Sequence, residues 1–362
     1  MKKKMCILSV VIFIILMSGC VQPKREKVPV QILDRELLAK AKVLQADTMG
    51  TFDEFIYAKK FWVYADSILI VLNKKHKDGY FVELHNLFTK ENIVKLYRLG
   101  DGPDEMLSAR VDMNGKTLLV NDFVKGQVAV VNLDSLLKNT TYTTLPIRHR
   151  AIGSPTAVPY GDCFLLENPY CFADENLKIE QNAPRFIVTD AKRSYVEEVK
   201  YKYYTRNVTV DGCIIMNDFN DRIIYACMHK SAMEIYDKDL NLLRMIEGPI
   251  DLKTRYSLDS ESDIGIEISF KDYIPYAYLT YCTDKNYFYL SYVGDYLKIG
   301  MGMKDFPGWI LKFDWDGRLV NCFSVSGCVR AISKSEKERA LYVTVLNRED
   351  VPVLLKMYED EI

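Results

Sequence analysis

The chain has 362 residues, with 48 basic and 49 acidic side chains and a formal net charge of -1. That balance excludes the strongly basic surface that nucleic acid requires, so no nucleic-acid partner is expected. With 49% hydrophobic residues, 24 tyrosines and 16 phenylalanines, the chain can bury a large core, and its aromatic excess suits sheets packed face to face.

Three basic residues, Lys2 to Lys4, precede an apolar run from Met5 to Met17, then Ser18, Gly19 and Cys20. A run that short is a signal-peptide core rather than a membrane span, which needs about 20 apolar residues. The Ser-Gly-Cys ending resembles a bacterial lipobox, with Met17 where leucine is usual. This resemblance implies cleavage after residue 19 and acylation of Cys20. Cleavage removes three lysines and no acids, so the mature formal charge falls to about -4 from the counts above. Residues 20–40 open with the polar "VQPKREKVPVQ" and read as a tether. Residues 41–362 read as one domain.

The segment "AKVLQADTM", residues 41–49, is a strand candidate with no partner nearby in sequence. After it, one unit recurs: an apolar strand, a tight polar turn, a strongly apolar strand, a loop, and a third strand. The second unit, "ARVDMNGKTLLVNDFVKGQVAVVNLDSL", shows it best, because Asn114-Gly115 is a strong hairpin signal. Turn anchors fall at Asp66, Asn114, Gly161, Gly212, Asp284 and Lys337. They lie about 50 residues apart, except for a longer step after Gly212 that holds an insertion. A period of about 40 to 50 residues with four strands per unit predicts propeller blades. The runs are 4 to 8 residues long and rich in Val, Ile, Tyr and Phe, which is strand rather than helix periodicity. The predicted fold is therefore all-β: a six-bladed β-propeller. Its last blade lacks an outer strand, which residues 41–49 would supply, closing the ring and removing exposed sheet edges.

Between the first two units lies "LGDGPDEML". Gly100 and Gly102 suggest positive backbone angles, Pro103 presets its own, and Asp101, Asp104 and Glu105 can cap nearby amides. The carboxylate spacing does not match a calcium loop. The Gly100-Asp101-Gly102-Pro103-Asp104-Glu105 element resembles the hallmark of the TolB-like six-bladed β-propeller lipoproteins of Bacteroides-type bacteria. The resemblance extends to the repeat layout and the lipobox, and implies a fold and an address in the cell envelope more than a chemistry. Surface-exported lipoproteins of that group tend to carry acids just after the cysteine. The basic residues here favour a periplasm-facing lipid anchor.

In a propeller, blade-to-blade and second-to-third strand loops share one face, and loops carry binding. The long segments 168–184, 248–269 and 294–308 all fall there. Arg110, Arg150, Arg206 and Arg330 each stand at or near the start of an innermost strand, with Arg148 and His149 beside Arg150. Gathered at a channel mouth, these guanidinium groups suit a carboxylate or phosphate. Asp112 and Asp211 are alternative partners for them. Trp309 follows a long loop and is a candidate for the rim. His76, His85, His149 and His229 have no ligand spacing, so no metal site and no cofactor is expected. Among the cysteines, Cys322 with Cys328 and Cys163 with Cys171 are spaced to pair, and no CxxC occurs.

Three functions fit. The first is a non-enzymatic binding module that takes a peptide, protein or small anionic ligand on its loop-rich face. The second is a lactonase- or lyase-type propeller enzyme with a metal at the channel mouth, for which Asp112, Asp211, Asn207 and Asn217 are the nearest candidates. The third is a structural spacer in an envelope complex.

Overall fold

The computed structural model describes residues 28–51, 58–73, 79–103, 105–122, 124–138, 147–149, 156–168, 185–190, 211–216, 219–253, 256–259, 267–270, 272–299, 302–303, 306–347 and 349–359. They form six radial antiparallel sheets around a common axis, a six-bladed β-propeller. Blade 1 comprises Ala58–Tyr64, Ile68–Asn73, Tyr80–Asn86 and Asn92–Leu99. Blade 2 comprises Arg110–Asn114, Thr117–Asp122, Gln127–Asn132 and Ile147–His149. Blade 3 shows Ala157–Tyr160, Cys163–Glu167 and Phe186–Asp190; its expected outer strand lies outside the described residues. Blade 4 comprises Gly212–Ile215, Arg222–Cys227, Ala232–Asp237 and Leu242–Glu247. Blade 5 comprises Tyr273–Thr283, Tyr287–Lys298, Gly308–Asp314 and Leu319–Val325. Blade 6 comprises Val329–Lys334, Ala340–Leu346 and Pro352–Tyr358, and is completed by Ala46–Thr51.

Alternating apolar residues on each strand fill the spaces between neighbouring blades. Trp62, Ile70, Val82 and Leu84 of blade 1 pack on Val111, Leu118 and Val120 of blade 2. Ile224, Met233 and Ile235 of blade 4 pack on Tyr278, Phe288 and Phe313 of blade 5. The hairpins follow turn chemistry: Gly115 and Gly161 take positive φ, and so do both Ala65 and Asp66.

The N-terminal segment laces three blades together. Val30–Ile32 pairs in parallel with the outer strand of blade 4, Lys42–Val43 pairs in parallel with that of blade 5, and Ala46–Thr51 closes blade 6. A short helix, Glu36–Ala39, bridges the first two contacts. Leu33 and Leu44 are buried along this path. Residues 30–40 are therefore an edge-covering strap and not tether, because their backbone pairs along the outer strand of blade 4 and Leu33 packs into the core between blades 4 and 5.

Three further sequence expectations change. In blade 4, Asp211-Gly212 is not the hairpin turn; Gly212 opens the inner strand, and the turn lies between Ile215 and Arg222. A Cβ on Gly212 would sit 2.4 Å from the Tyr225 ring, so packing, not turn formation, requires glycine there. Much of the expected loop 294–308 is strand: Asp295 to Lys298 pair with Tyr273 to Tyr276, so blade 5 rises beyond its neighbours. The insertion before it contains a hairpin, Tyr256–Asp259 with Glu267–Phe270. Cys322 and Cys328 are buried free thiols and do not pair; Cys163 is also free, and Cys171 lies outside the described residues.

The element "LGDGPDEML" is a structural clamp between blades 1 and 2. Glu105–Met106 pairs in parallel with Arg98 and Leu99. The Gly102 N–H donates to Glu105 Oε2 at 3.0 Å. Neither Gly100 nor Gly102 has the positive φ expected of it. Glycine is needed at Gly100 for space: a Cβ there would lie 2.0 Å from the folded-back Glu105 carboxylate. Buried Asp122 accepts from the Leu107 N–H at 2.7 Å, Ser108 Oγ at 2.7 Å, and the N–H groups of Val124 and Lys125 at 3.0 Å. Lys125 Nζ donates to the carbonyls of Gly102 and Glu105 at 2.7 and 2.9 Å. Asp104 lies outside the described residues.

Candidate functional site

The six inner strands start at one end of the central channel, here called the mouth. Because Gly212 begins the blade 4 strand, Asp211 stands at the mouth, where Arg110 stands in blade 2. Arg110 reaches across to it. Its Nη1 lies 3.5 Å from Asp211 Oδ1, its Nη2 donates to the Gly212 carbonyl at 2.9 Å, and its Nε lies 3.7 Å from Asp112 Oδ2. Burial opposes the Arg110 charge, but Asp112 and Asp211 outweigh it and raise the guanidinium pKa. His229, in the loop after the second strand of blade 4, has Nε2 4.0 Å from Asp211 and Nδ1 2.8 Å from the Pro275 carbonyl. Burial lowers its pKa below the ordinary value, against the Pro275 contact and Asp211. Its ring lies 4.9 Å from Phe270 and 5.4 Å from Tyr276, tying the inserted hairpin to the mouth.

Among the described residues, two more cations stand at the mouth. Lys60 lies on the inner strand of blade 1. Burial, with the fields of Arg330 and Arg110, lowers its pKa to about 8 against the pull of Asp112. Arg330 lies on the inner strand of blade 6, and its Nη1 approaches Met303 Sδ at 2.7 Å.

The sequence candidates divide accordingly. Arg110 and Arg330 do come together at the mouth. Arg150 and Arg206 lie outside the described residues, as do Asn207 and Asn217. His149 is on the outermost strand of blade 2, opposite Gln127, and so is at the periphery of the ring instead of the channel. Trp309 is on the third strand of blade 5, paired with Tyr292 and Ser324 and packed against the core between blades 4 and 5. It is a packing residue and not a rim platform. Asp112 and Asp211, the carboxylates considered for a metal, both face Arg110. Sequence reading missed Lys60, which looks like half of an ordinary solvated Lys59-Lys60 pair. It also missed Tyr276 and His229, whose neighbours are set by the blade 5 insertion.

Behind the mouth, blades 3 and 4 share a buried polar network. Arg185 forks onto Glu234, with Nε to Oε2 at 3.1 Å and Nη2 to Oε1 at 3.3 Å, and its guanidinium lies 4.4 Å from the Tyr225 ring centroid. The Tyr225 hydroxyl donates to Glu167, and the Gly212 N–H reaches Glu167 Oε2 at 3.4 Å. Burial, then repulsion from Asp211, raises the Glu167 pKa to about 7, against Tyr225, Arg185 and Arg110. Its unfolded value is near 4.5, so folding takes up a proton between these two values. The stabilisation is full below the lower value and is lost as pH rises through the upper one. Glu167→Gln removes that titration. Relative to the variant, the wild type is expected to lose on the order of 3 kcal/mol of unfolding free energy between about pH 5 and pH 8. Denaturant unfolding at both pH values measures it; a constant difference between the two proteins would refute it.

At the far end the channel is bridged. Asn114, the last residue of the blade 2 inner strand, accepts from Thr283 Oγ1 of blade 5 at 2.6 Å and donates to the Met216 carbonyl after blade 4. These bonds tie blades 2, 4 and 5 together at the end opposite the mouth.

No protein-family model matches the chain, and no curated protein matches it. Solved structures do resemble it in fold. A member of the DUF4221 family from Bacteroides vulgatus has a TM-score of 0.51 at 11% identity, covering 88% of this chain and 96% of that one. A protein from Bacteroides fragilis, provisionally described as exported, has a TM-score of 0.50 at 13% identity, covering 92% of this chain and 99% of that one. At such identities the likeness is one of fold alone.

Proposed function

We propose that this chain is an exported, lipid-anchored propeller of the TolB-like kind that binds an anionic ligand on its loop-rich face. The ligand is a small molecule or an acidic segment of a peptide or protein. The signal-like N-terminus and Cys20 support the anchor, and the basic residues after Cys20 favour the periplasmic side. The observation that carries the binding reading is the charge at the mouth: Lys60, Arg110 and Arg330 against Asp112 and Asp211. Among the described residues this leaves one positive charge in excess, partly desolvated, where it attracts an anion more strongly than on an open surface. A thermal-shift screen against acidic, neutral and basic solutes and peptides tests this. Anionic compounds alone should raise the melting temperature, by a few degrees, and the effect should shrink with added salt. Equal shifts with basic compounds would refute the reading. A stoichiometric divalent ion in purified protein, with lactone turnover, would replace it by the enzyme reading.

A further inference from the structure

The charges at the mouth are not equivalent. Arg110 is matched by Asp112, Asp211 and the Gly212 carbonyl, so it is held as part of the wall. Among the described residues, neither Lys60 nor Arg330 has a carboxylate within ion-pair distance. Arg330 places Nη1 on the Met303 sulfur and also meets the Cys328 thiol, both weak acceptors, and its Nε–H is buried without a partner. A buried guanidinium donor left in that state is costly unless something else accepts from it.

Lys60 and Arg330 stand on neighbouring inner strands, near enough for the Arg330 charge to act on Lys60, whose ammonium lies 5.6 Å over the Trp62 ring. Blades 1 and 6 are adjacent, and their inner strands are locked in register by the Val63 N–H donating to Ser333 Oγ at 2.9 Å. A second bond, from Thr344 Oγ1 to the Phe61 carbonyl at 2.8 Å, fixes the same level. Lys60 and Arg330 each lie three residues before the locked pair, toward the mouth. Both strands carry a bulge there: Lys59 and Arg330 are the residues skipped in the two ladders. Bulges turn side chains out of the sheet pattern and are common beside binding sites. The wall next to Arg330 is apolar, formed by Tyr276, Phe306 and Met303, with Tyr276 and Phe306 in edge contact at 6.1 Å.

We infer that Lys60 and Arg330 form a seat for a single carboxylate, and that the Tyr276–Phe306 wall takes an apolar or aromatic group attached to it. This rests on the anion-binding reading above and narrows it to a small organic acid held between blades 1 and 6. Arg330 offers Nε–H and Nη2–H as a fork matching the two carboxylate oxygens, and Lys60 supplies the second charge. Arg110 keeps the mouth in shape and does not bind the acid. The ligand's charge also restores the proton that burial and the two arginines draw from Lys60.

Calorimetry on the full-length chain with phenylacetate, acetate and inorganic phosphate tests the inference. Phenylacetate is expected to bind more tightly than acetate or phosphate. Lys60→Ala and Arg330→Ala should each weaken it by about tenfold or more, as expected for one charge-assisted hydrogen bond. Near pH 8.5 binding should take up a proton, and this uptake should vanish in Lys60→Ala. Circular dichroism and melting of both variants establish that they fold. Lys60→Met and Arg330→Lys, which keep most of the side-chain bulk, serve where an alanine variant does not. Phenylacetate binding unchanged in the folded variants overturns the seat. Tight phosphate or acidic-peptide binding without phenylacetate binding overturns the carboxylate seat but leaves the broader anion reading standing. Failure of all three probes and of acidic peptides overturns both.

Discussion

Replacing Glu234 by alanine is expected to lower the unfolding free energy by about 3–5 kcal/mol. The carboxylate is fully buried, and so is the Arg185 guanidinium that forks onto it. Tyr236 also donates to Glu234, at 2.7 Å. Truncation removes the carboxylate that a buried guanidinium forks onto, beside the Tyr225 ring. The cost is mainly that of a buried charge losing its carboxylate partner, not the net worth of the pair itself. The double variant Arg185→Met with Glu234→Leu removes both charges and keeps apolar volume. It should recover most of the loss, because desolvating two ions offsets much of their attraction. Urea unfolding of the three proteins gives both numbers. A double variant no more stable than Glu234→Ala would show that the buried Arg185 charge is not the cause.

A chain shortened to begin at Phe52 is expected to self-associate. Without residues 28–51, blade 6 loses its outer strand and blades 4 and 5 lose their edge cover. Three unpaired edges are then open to other chains. The buried side chains of Leu33 and Leu44 are lost as well. Smaller lesions should show the same dependence in graded form. Leu33→Ala and Leu44→Ala are each expected to cost about 2–5 kcal/mol, as for other buried leucines. Size-exclusion chromatography of the truncated chain, and urea unfolding of the two point variants, measure these effects. A monomeric shortened chain with an unchanged unfolding midpoint would remove the strap from the account of ring closure.

Much of this architecture was legible in the sequence because propellers repeat local turn chemistry. Asn114-Gly115 and Asp66 marked real hairpins, and the poor last repeat pointed to an outer strand from the N-terminus. That strand is Ala46–Thr51, paired with Val353 to Met357. The failures have physical causes. Asp211-Gly212 has the composition of a type I′ turn, and Asp211 does take a positive φ, but Tyr225 fills the space above Gly212. Packing between strands overrode the dipeptide signal, and with it moved Asp211 from the far end of the blade to the mouth. Val30–Ile32 has only three residues and no distinctive pattern; its partner 215 positions away supplies the reason for its shape. The arginine grouping was half legible. Strand starts can be counted from repeats, so Arg110 and Arg330 were found. Which side chain is already neutralised depends on contacts across the ring, and sequence spacing says nothing about those. His149 was misplaced because the strand it sits on is the last of its blade and not the first of the next.

The direction of Val30–Ile32 bears on how the molecule is presented. This strand climbs blade 4 alongside Leu242–Glu247, and that outer strand runs from the Asn114 end of the ring toward the mouth. The chain therefore arrives from the bridged end. Residues 21–27 separate Cys20 from Val28, a leash of at most roughly 25–30 Å when fully extended. Acylation of Cys20, as proposed above, would set the bridged end against the bilayer and leave the mouth facing away from it. Solutes would then reach the mouth without crossing the lipid headgroups.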